Sequence, residues 1–461
     1  MRSRFRRALL PVCLMLAACM PAVPEDTPTR AAATTDSPLP PMPVFSTPRP
    51  APVHISNSDL LRDFIDLSFS LESGRPLPVL TRFEGPVTLR VTGNPPPTLG
   101  PDLNRLIYRL RSEARIDIRQ TAADHANITI EAVSRADIRR HLPQAACFVV
   151  PNISRLSEFR LARRTPRTDW ARLQTREKLA IFVPADATPQ ELRDCLHEEL
   201  AQALGPLNDL YRLPQSVFND DNVHTVLTAY DMLILRATYA PELRSGMTRG
   251  QVADRLPAIL ARINPGGEGI APRRDPGSPR AWTEAIQTAL TPANAPGTRR
   301  AAAAEALTIA RTLGWRDHRI GFAHYALGRL TQPLDPDQAL AHFHAADSYF
   351  AQRPEYAPHR AMVAAQLAAH AIREGRGEEA VLMIAPHLPV VIQHENAALL
   401  ATLNMLRAEA LELAGRGVEA QAVRLDSLGW ARYGFGADWA VRAKLREISA
   451  LNPLKGRNGR I

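Results

Sequence analysis

The chain has 461 residues, a formal net charge of +9, 40 prolines and 4 cysteines. Residues 1–18 carry four of the arginines and no acidic residue, so without them the net charge is about +5. A positive excess this mild is only weak evidence for a nucleic-acid partner, and none is expected in the compartment predicted below.

The first segment has the form of a bacterial lipoprotein signal peptide. Arg2 to Arg7 is basic, and Ala8 to Met15 is apolar but too short to span a bilayer. Leu16-Ala17-Ala18-Cys19 then matches the lipobox at which lipoproteins are cut and acylated. Residues 1–18 are therefore predicted to be removed and Cys19 to carry the lipid. Because Met20 rather than aspartate follows, we expect an anchor in the outer membrane of a Gram-negative bacterium, facing the periplasm.

The remaining cysteines suggest one disulfide. Cys13 leaves with the signal peptide and Cys19 takes the lipid, so only Cys147 and Cys195 are left. Disulfides persist in the cell envelope, which is an oxidising compartment. We therefore expect Cys147 and Cys195 to be bonded to each other.

Residues 19–55 are predicted to be a proline-rich tether. From Met20 to about Val53 the chain has ten prolines with threonine, serine and alanine between them. Such a segment has little apolar content from which to build a core. At a rise of about 3 Å per residue in polyproline II, it would hold the next domain some tens of ångströms from the membrane.

Residues 56–263 are expected to form a domain that mixes helices and strands. Apolar stripes predict helices near residues 58–71 and 101–113. Residues 155–178 hold eight arginines and lysines with little periodicity and are predicted to be a solvated loop, with a substrate-steering surface as the alternative. Apolar runs and alternation predict strands at residues 79–83, 87–91, 116–118, 128–133, 148–150 and 178–183.

The most informative stretch is a helix that begins at a predicted capping box, Thr188-Pro189-Gln190-Glu191. Gly205-Pro206 is expected to end this helix as a left-handed cap. Glu198, Glu199 and Gln202 then lie on its last turns. Its apolar stripe is predicted to consist of Leu192, Leu196, Leu200 and Ala203.

This layout resembles the metzincin branch of zinc metalloproteases. The family motif H-E-x-x-H-x-x-G-x-x-H is matched in frame by Glu198-Glu199-x-x-Gln202-x-x-Gly205-x-x-Asn208. Ser216-Val217-Phe218 stands where matrix-metalloprotease-like members have the Met-turn, and residues 227–239 look like the helix that follows. The resemblance implies an α+β zincin-like domain.

The resemblance leaves two functions open. The three zinc-binding histidines of the family are replaced by Glu198, Gln202 and Asn208, whereas catalytic zinc sites use imidazole with at most one carboxylate. No metal and no cofactor is therefore expected, and the favoured interpretation is an inactive zincin-like domain. The alternative is an atypical metal-dependent peptidase, with zinc and with Glu199 as its general base.

The same block is also similar to a bacterial family of envelope lipoproteins known only as domain of unknown function 2927. The similarity rests on Glu-Glu-x-x-Gln-x-Leu-Gly, on the pair Asn208-Asp209 and on Ser-Val-Phe-Asn-Asp. It covers roughly residues 56 to 250. It implies a lineage rather than an activity.

A glycine- and proline-rich linker, residues 264–280, precedes a helical region, residues 281–461. Gly375-Arg376-Gly377 recurs as Gly415-Arg416-Gly417, with a looser copy from Gly328. This resembles the turn of tetratricopeptide repeats, which implies an all-α array that binds a protein or peptide. The alternative is a plain helical domain that covers the first one. Residues 427–436, rich in glycine and aromatic residues, are expected to form a terminal cap.

The lipobox generates the first testable prediction. Wild-type protein should incorporate a palmitate analogue in cells and sediment with membranes, and Cys19→Ala should lose both properties because the acylated thiol is gone. Metabolic labelling and membrane fractionation measure this directly. Labelled Cys19→Ala protein would refute the lipoprotein assignment.

Overall fold

In the described chain, only four α-helices precede the last strand, and all the other α-helices follow it. The computed structural model describes residues 39–46, 53–273 and 275–456. The signal peptide and Cys19 lie outside these residues. The described chain is α+β, as expected, with one small sheet followed by many helices.

The sheet has five strands in the order β2-β1-β3-β5-β4. Neighbouring strands are parallel, except that β4 runs antiparallel to β5. Every residue of β5 is buried, which explains its uninterrupted apolar sequence. The strands are β1 (Val87–Gly93), β2 (Ile118–Gln120), β3 (Ile128–Val133), β4 (Phe148–Pro151) and β5 (Leu179–Pro184).

Seven helices surround this sheet and complete the first half of the protein. Five of them share one core with the sheet, which includes Phe64, Leu106 and Leu200, whereas the third and fourth pack on β4 and β5 in a smaller core. The helices are α1 (Asn57–Ser68), α2 (Leu99–Ser112), α3 (Arg135–His141), α4 (Leu156–Ala162), α5 (Pro189–Leu204), α6 (Ala229–Thr238) and α7 (Arg249–Ile263).

Two local predictions are wrong. Residues 79–83 are not a strand of the sheet, because Leu80 pairs its backbone with Gly246 and Met247 of a distant turn. Residues 155–178 are not simply a solvated loop, since they contain α4, whose Phe159 is buried in a small aromatic cluster. The partner of Leu80 is distant in sequence, and Phe159 packs on Phe148 and Phe182 of the sheet.

The second half is entirely helical within the described residues. None of the described helices is long and apolar enough to cross a membrane. The helices are α8 (Arg280–Leu290), α9 (Pro296–Thr312), α10 (His318–Thr331), α11 (Pro336–Phe350), α12 (Ala357–Arg373), α13 (Gly377–Ile384), α14 (Leu388–Gln393), α15 (Ala397–Leu413), α16 (Gly417–Phe435), α17 (Asp438–Ser449) and α18 (Pro453–Gly456).

The repeated glycine motif marks equivalent turns in two of its three copies. Gly375 and Gly415 have φ values of +74° and +76°, which only glycine adopts without strain, and the next helix begins two residues later in each case. The third copy does not mark such a turn, because Gly328 lies inside α10. There a Cβ would be 2.8 Å from the Phe343 ring, so glycine allows α10 and α11 to pack closely.

The two halves share a buried polar interface. Glu395, which precedes α15, forms ion pairs with Arg105 of α2 (2.8 Å) and Arg193 of α5 (3.3 Å). Elsewhere in the interface, His359 Nε2 lies 2.8 Å from an Asp221 carboxylate oxygen. The segment between α7 and α8 also contacts both halves, since Arg273 bonds to Asp59 and to Glu355. Residues 39–461 accordingly cluster as one compact unit.

Part of the predicted tether belongs to this compact unit. Leu39–Ser46 form neither helix nor strand, yet Phe45 is buried in the core of the helical half. The Phe45 ring centroid lies 4.4 Å from that of Trp430 in α16. The predicted terminal cap, residues 427–436, is therefore mostly helical and packs on residues 39–46, and two further helices follow it.

The predicted disulfide between Cys147 and Cys195 is confirmed, and it links the start of β4 to the middle of α5 across 48 residues. Replacing both cysteines by alanine should lower the free energy of unfolding by about 2–4 kcal/mol, because the unfolded chain regains loop entropy. Urea denaturation measures this loss. Thiol titration of unfolded, unreduced mature protein should detect neither cysteine, and two free thiols would contradict the pairing.

Candidate functional site

The candidate site is built on α5. Thr188 accepts a hydrogen bond from the Glu191 backbone N–H at the start of this helix, and Pro189 occupies its first position. This is one half of the predicted capping box, since the Glu191 carboxylate pairs with Arg135 instead. The predicted apolar stripe of α5 is fully buried, so the opposite face of the helix is the one that turns away from the core. The stripe consists of Leu192, Leu196, Leu200 and Ala203.

An arginine that sequence reasoning placed in a solvated loop caps the other end of α5. Arg176 is 3% exposed, and its guanidinium donates to the carbonyls of Gln202 (2.6 Å) and Gly205 (2.5 Å). These carbonyls lie at the negative end of the helix dipole, where a cation is favourable. Burial lowers the pKa of Arg176 to about 10.

The predicted left-handed cap at Gly205 is wrong. Its φ is −159°, which is extended backbone that any residue adopts. A Cβ at this position would lie 3.2 Å from the Thr238 hydroxyl of α6, a tight contact to which the Thr238 side chain would have to adjust. The residue therefore lets α6 approach the end of α5.

Five carboxyl groups gather beside the last turns of α5, and we call them the acidic cluster. Gln202 donates a hydrogen bond of 3.4 Å to Glu72, which links α5 to the turn after α1. Asp220 accepts a hydrogen bond from Gln287 of α8. Within the described chain, none of the five forms an ion pair with a basic side chain. The cluster consists of Glu72, Glu198, Glu199, Asp209 and Asp220.

Burial and mutual repulsion raise the pKa values of these groups. Burial, together with the charges of Glu72 and Asp220, raises the pKa of Glu198 to about 8. Burial and the charges of Glu198 and Glu72 raise the pKa of Glu199 well above its usual value. The same causes raise the pKa of Asp209. At neutral pH the cluster therefore holds protons.

Glu199, the expected general base, is the most deeply buried member of the acidic cluster that has a side-chain oxygen without a hydrogen-bond partner. It is 5% exposed, and its Oε2 has no hydrogen-bond partner among the described residues. A protonated carboxyl cannot accept a proton from water, so this environment opposes general-base chemistry. A cation placed beside it would reverse the shift of its pKa.

The three positions that correspond to zinc ligands do not form a zinc site. The Asn208 side-chain amide donates to the Asp66 carbonyl (2.9 Å), and the Gln202 amide faces Glu72. With the Glu198 carboxyl, these positions supply two amides and no imidazole, which zinc disfavours. No group of three His, Cys, Asp or Glu side chains in the described chain is arranged to hold a metal ion.

His197, which precedes the motif, faces away from the acidic cluster. Its Nδ1 accepts a hydrogen bond from the Leu227 backbone N–H at 3.0 Å. Burial and the charges of Arg109, Arg193 and Arg105 lower its pKa well below the usual value. His197 is therefore a neutral residue of the core.

The Met-turn-like segment is held by one aspartate of α6. Asp231 accepts hydrogen bonds from the Ser216 hydroxyl (2.5 Å) and the Val217 backbone N–H (3.3 Å), and it closes a capping box with Thr228. Burial raises its pKa to about 6, although these hydrogen bonds act in the opposite direction. Phe218 is fully buried in the same core as α5. The predicted helix over residues 227–239 is thereby confirmed as α6, with Ser-Val-Phe packed against it.

A second feature, which sequence reasoning missed, is a cavity of about 1190 Å³ between the two halves. Its wall combines apolar side chains with arginines and histidines, and Gln215 lines it with both amide atoms unpaired. Its lining residues come from segments as far apart as Ser46 and Glu395, so no local pattern reveals it. The apolar part of the wall includes Val53, Ile55, Val226, Leu227, Ile270 and Ile392.

Comparison with known proteins finds a family that the first half matches. Residues 57–258 match a family described as Protein of unknown function (DUF2927). This match supports the expected family assignment over that segment, which contains the sheet, α5 and all five carboxyl groups of the acidic cluster. No curated protein and no solved structure matches the chain.

The raised pKa values predict that stability falls as the pH rises. A carboxyl whose pKa is higher in the folded state stabilises the fold below its usual pKa, and this stabilisation is lost as the pH rises through the folded value. The free energy of unfolding of the wild type should therefore fall between about pH 5.5 and about pH 8.5. Glu198→Gln should reduce this fall by on the order of 2 kcal/mol, a figure that is moderate because solvent still reaches part of Glu198.

Urea unfolding at both pH values measures this effect. Glu305→Gln, an exposed carboxyl on α9, is the matched control and should keep the wild-type pH dependence. Identical pH dependence in wild type and Glu198→Gln would contradict the assigned proton on the cluster.

Proposed function

We propose that this protein is a lipid-anchored component of a Gram-negative cell envelope that binds a partner and performs no zinc chemistry. Its first half would be a zincin-like scaffold, and its helical half would carry the binding surface. The anchor rests on the lipobox that ends at Cys19, and the outer membrane rests on Met20. The proposal assigns no nucleic-acid partner.

The observation that carries the proposal is the state of the positions equivalent to zinc ligands. Asn208 is committed to the Asp66 carbonyl, Gln202 to Glu72, and Glu198 is one of several carboxyls with raised pKa values. A zinc peptidase needs a metal to polarise the carbonyl and to lower the pKa of water. These residues do not fit zinc, so no catalytic step is assigned to them.

The architecture supports the zincin-like description of the first half. The last strand of the sheet, β5, leads into α5 after four residues, as in an N-terminal zincin half. The Ser216-Val217-Phe218 segment and α6 then follow in the order that the metzincin resemblance implies. A scaffold of this kind retains the fold while its ligand positions change.

The helical half supports a binding function. Its two equivalent turns, at Gly375 and Gly415, are those expected for tetratricopeptide-like hairpins, which stack into protein-binding surfaces. It also packs on the first half through buried ion pairs. The two halves would therefore present one rigid surface to a partner.

The alternative function is a metal-dependent peptidase in which Glu199 is the general base. One observation favours it, namely that Glu199 Oε2 is buried and unpaired beside other carboxyls. Zinc would be its cofactor. This alternative and the proposed function predict different results for two measurements.

The proposed function predicts that purified mature protein contains no stoichiometric zinc and cleaves no peptide library above background. Glu199→Gln should complement a deletion strain as well as the wild type does, because its carboxylate has no catalytic role. Elemental analysis and peptidase assays on the same preparation measure the first point. Bound zinc together with loss of function in Glu199→Gln would establish the alternative.

A gain-of-function variant controls for the geometry. Glu198→His combined with Gln202→His and Asn208→His should create tight zinc binding if the zincin-like placement is correct. Zinc titration monitored by elemental analysis measures this. Failure of the triple variant to bind zinc, while its circular dichroism stays native, would contradict the zincin-like assignment.

A further inference from the structure

The described part of the tether has the form of a bound proline-rich ligand. Its sequence is Leu-Pro-Pro-Met-Pro-Val-Phe-Ser, residues 39–46. Proline fixes its own φ and keeps the residue before it out of the helical region, so the segment is extended. An extended proline-rich chain exposes its carbonyls and loses little entropy when it binds.

Helix α16 recognises the proline end of this segment. Arg432 donates a hydrogen bond of 2.8 Å to the Pro40 carbonyl. Gly429 lets the chain lie directly on the helix, because a Cβ at this position would be 2.9 Å from the Pro41 carbonyl oxygen and 3.0 Å from Pro43 Cδ. The contact therefore combines a backbone-directed donor with a close approach that only glycine permits.

The aromatic end of the segment enters a pocket formed by both halves. The Phe45 side chain is 7% exposed and lies against Trp430 of α16. The Arg193 guanidinium stands 5.4 Å from the Phe45 ring centroid and 5.1 Å from that of Tyr433, at cation–π distance. Val44, between the last proline and Phe45, is 84% exposed. In this segment the Phe45 side chain is therefore bound, whereas the Val44 side chain is free.

The last contact of the segment is made by α2. Arg105 donates to the Ser46 carbonyl, and its guanidinium also pairs with Glu395. Arg193 pairs with the same carboxylate. Both arginines are therefore held in place by the junction between the halves before any peptide arrives, which lowers the cost of binding.

We propose that this surface, which we call the α16 groove, is a binding site for extended proline-rich peptides. The groove consists of Gly429, Trp430 and Arg432 with Arg105 and Arg193. The partner would be a protein segment with a Pro-x-Phe sequence like Pro43-Val44-Phe45, and the chain's own residues 39–46 would occupy the groove in its absence. This inference rests on the proposed binding function and names the class of partner.

Because the tether occupies the groove, a partner peptide has to compete with it for binding. A ligand attached to the same chain acts at an effective concentration in the millimolar range for short linkers, so only a good partner peptide displaces it. Displacement would release residues 39–46 and lengthen the spacer between the lipid and the folded body. Binding of a partner and the reach of the anchor would therefore be coupled.

The test uses the full mature protein and a fluorescent peptide with the sequence of residues 39–46. Phe45→Ala removes the aromatic anchor of the attached competitor, so this variant should bind the peptide at least about tenfold more tightly than the wild type. Val44→Ala is the matched control and should bind like the wild type, because Val44 faces solvent. Fluorescence anisotropy measures both.

A second substitution blocks the groove itself. Adding Gly429→Ala to Phe45→Ala should abolish peptide binding through the clash with Pro41 and Pro43, while alanine favours the helix. Equal binding by wild type and Phe45→Ala, or unchanged binding after Gly429→Ala, would overturn the inference. A concentration-dependent wild-type dimer that Gly429→Ala abolishes would also overturn it, by assigning the groove to a second copy. These outcomes leave the zinc measurements, and so the proposed function, untouched.

Discussion

The structure depends on α5 being shared between the two halves. One side of this helix packs its leucines into the core under the sheet, and Arg193 reaches across to Glu395 of the helical half. Glu395 has a φ of +54°, an unfavourable value for a residue with a side chain, and Arg105 and Arg193 hold it there. Removing either arginine would leave a buried charge without one of its partners, which is the costly way to break such a contact.

This arrangement separates the acidic cluster from the surface proposed to bind a partner. The acidic cluster lies at the last turns of α5, whereas the α16 groove lies near its first turns, beside Arg193. Because α5 is fixed at one end by Thr188 and at the other by Arg176, both features are built on one rigid element. The helix thus serves as a scaffold on which the side chains of Glu198, Gln202 and their neighbours are hydrogen-bonded or protonated.

The sequence could predict what is encoded locally. The strands β3, β4 and β5 and the extent of α5 follow from apolar runs and from the Thr188 cap, and the disulfide follows from counting the cysteines left in a compartment predicted to be oxidising. Long-range partners could not be predicted this way. Arg176 looked like one more cation in a basic loop, and nothing near Glu395 indicates that it binds two arginines 202 and 290 residues earlier in the chain.

The errors have the same physical origin. Residues 79–83 have a strand-like pattern but find their partner in the turn at Gly246, and Gly328 resembles a turn glycine but serves close helix packing. In the candidate site, the sequence located Glu198, Glu199, Gln202 and Asn208. It could not show that Glu72, Asp209 and Asp220 join them, since their approach depends on the folded turns.

The protonation state of Glu199 tests the central claim most directly. Carbon-13 NMR of the glutamate carboxyls, assigned by comparison with Glu199→Gln, reports whether this group is ionised at neutral pH and whether added zinc changes it. The account predicts a protonated Glu199 whose signal is unaffected by zinc, because the surrounding carboxyls and burial hold the proton. An ionised Glu199 whose signal shifts on stoichiometric addition of zinc would contradict it.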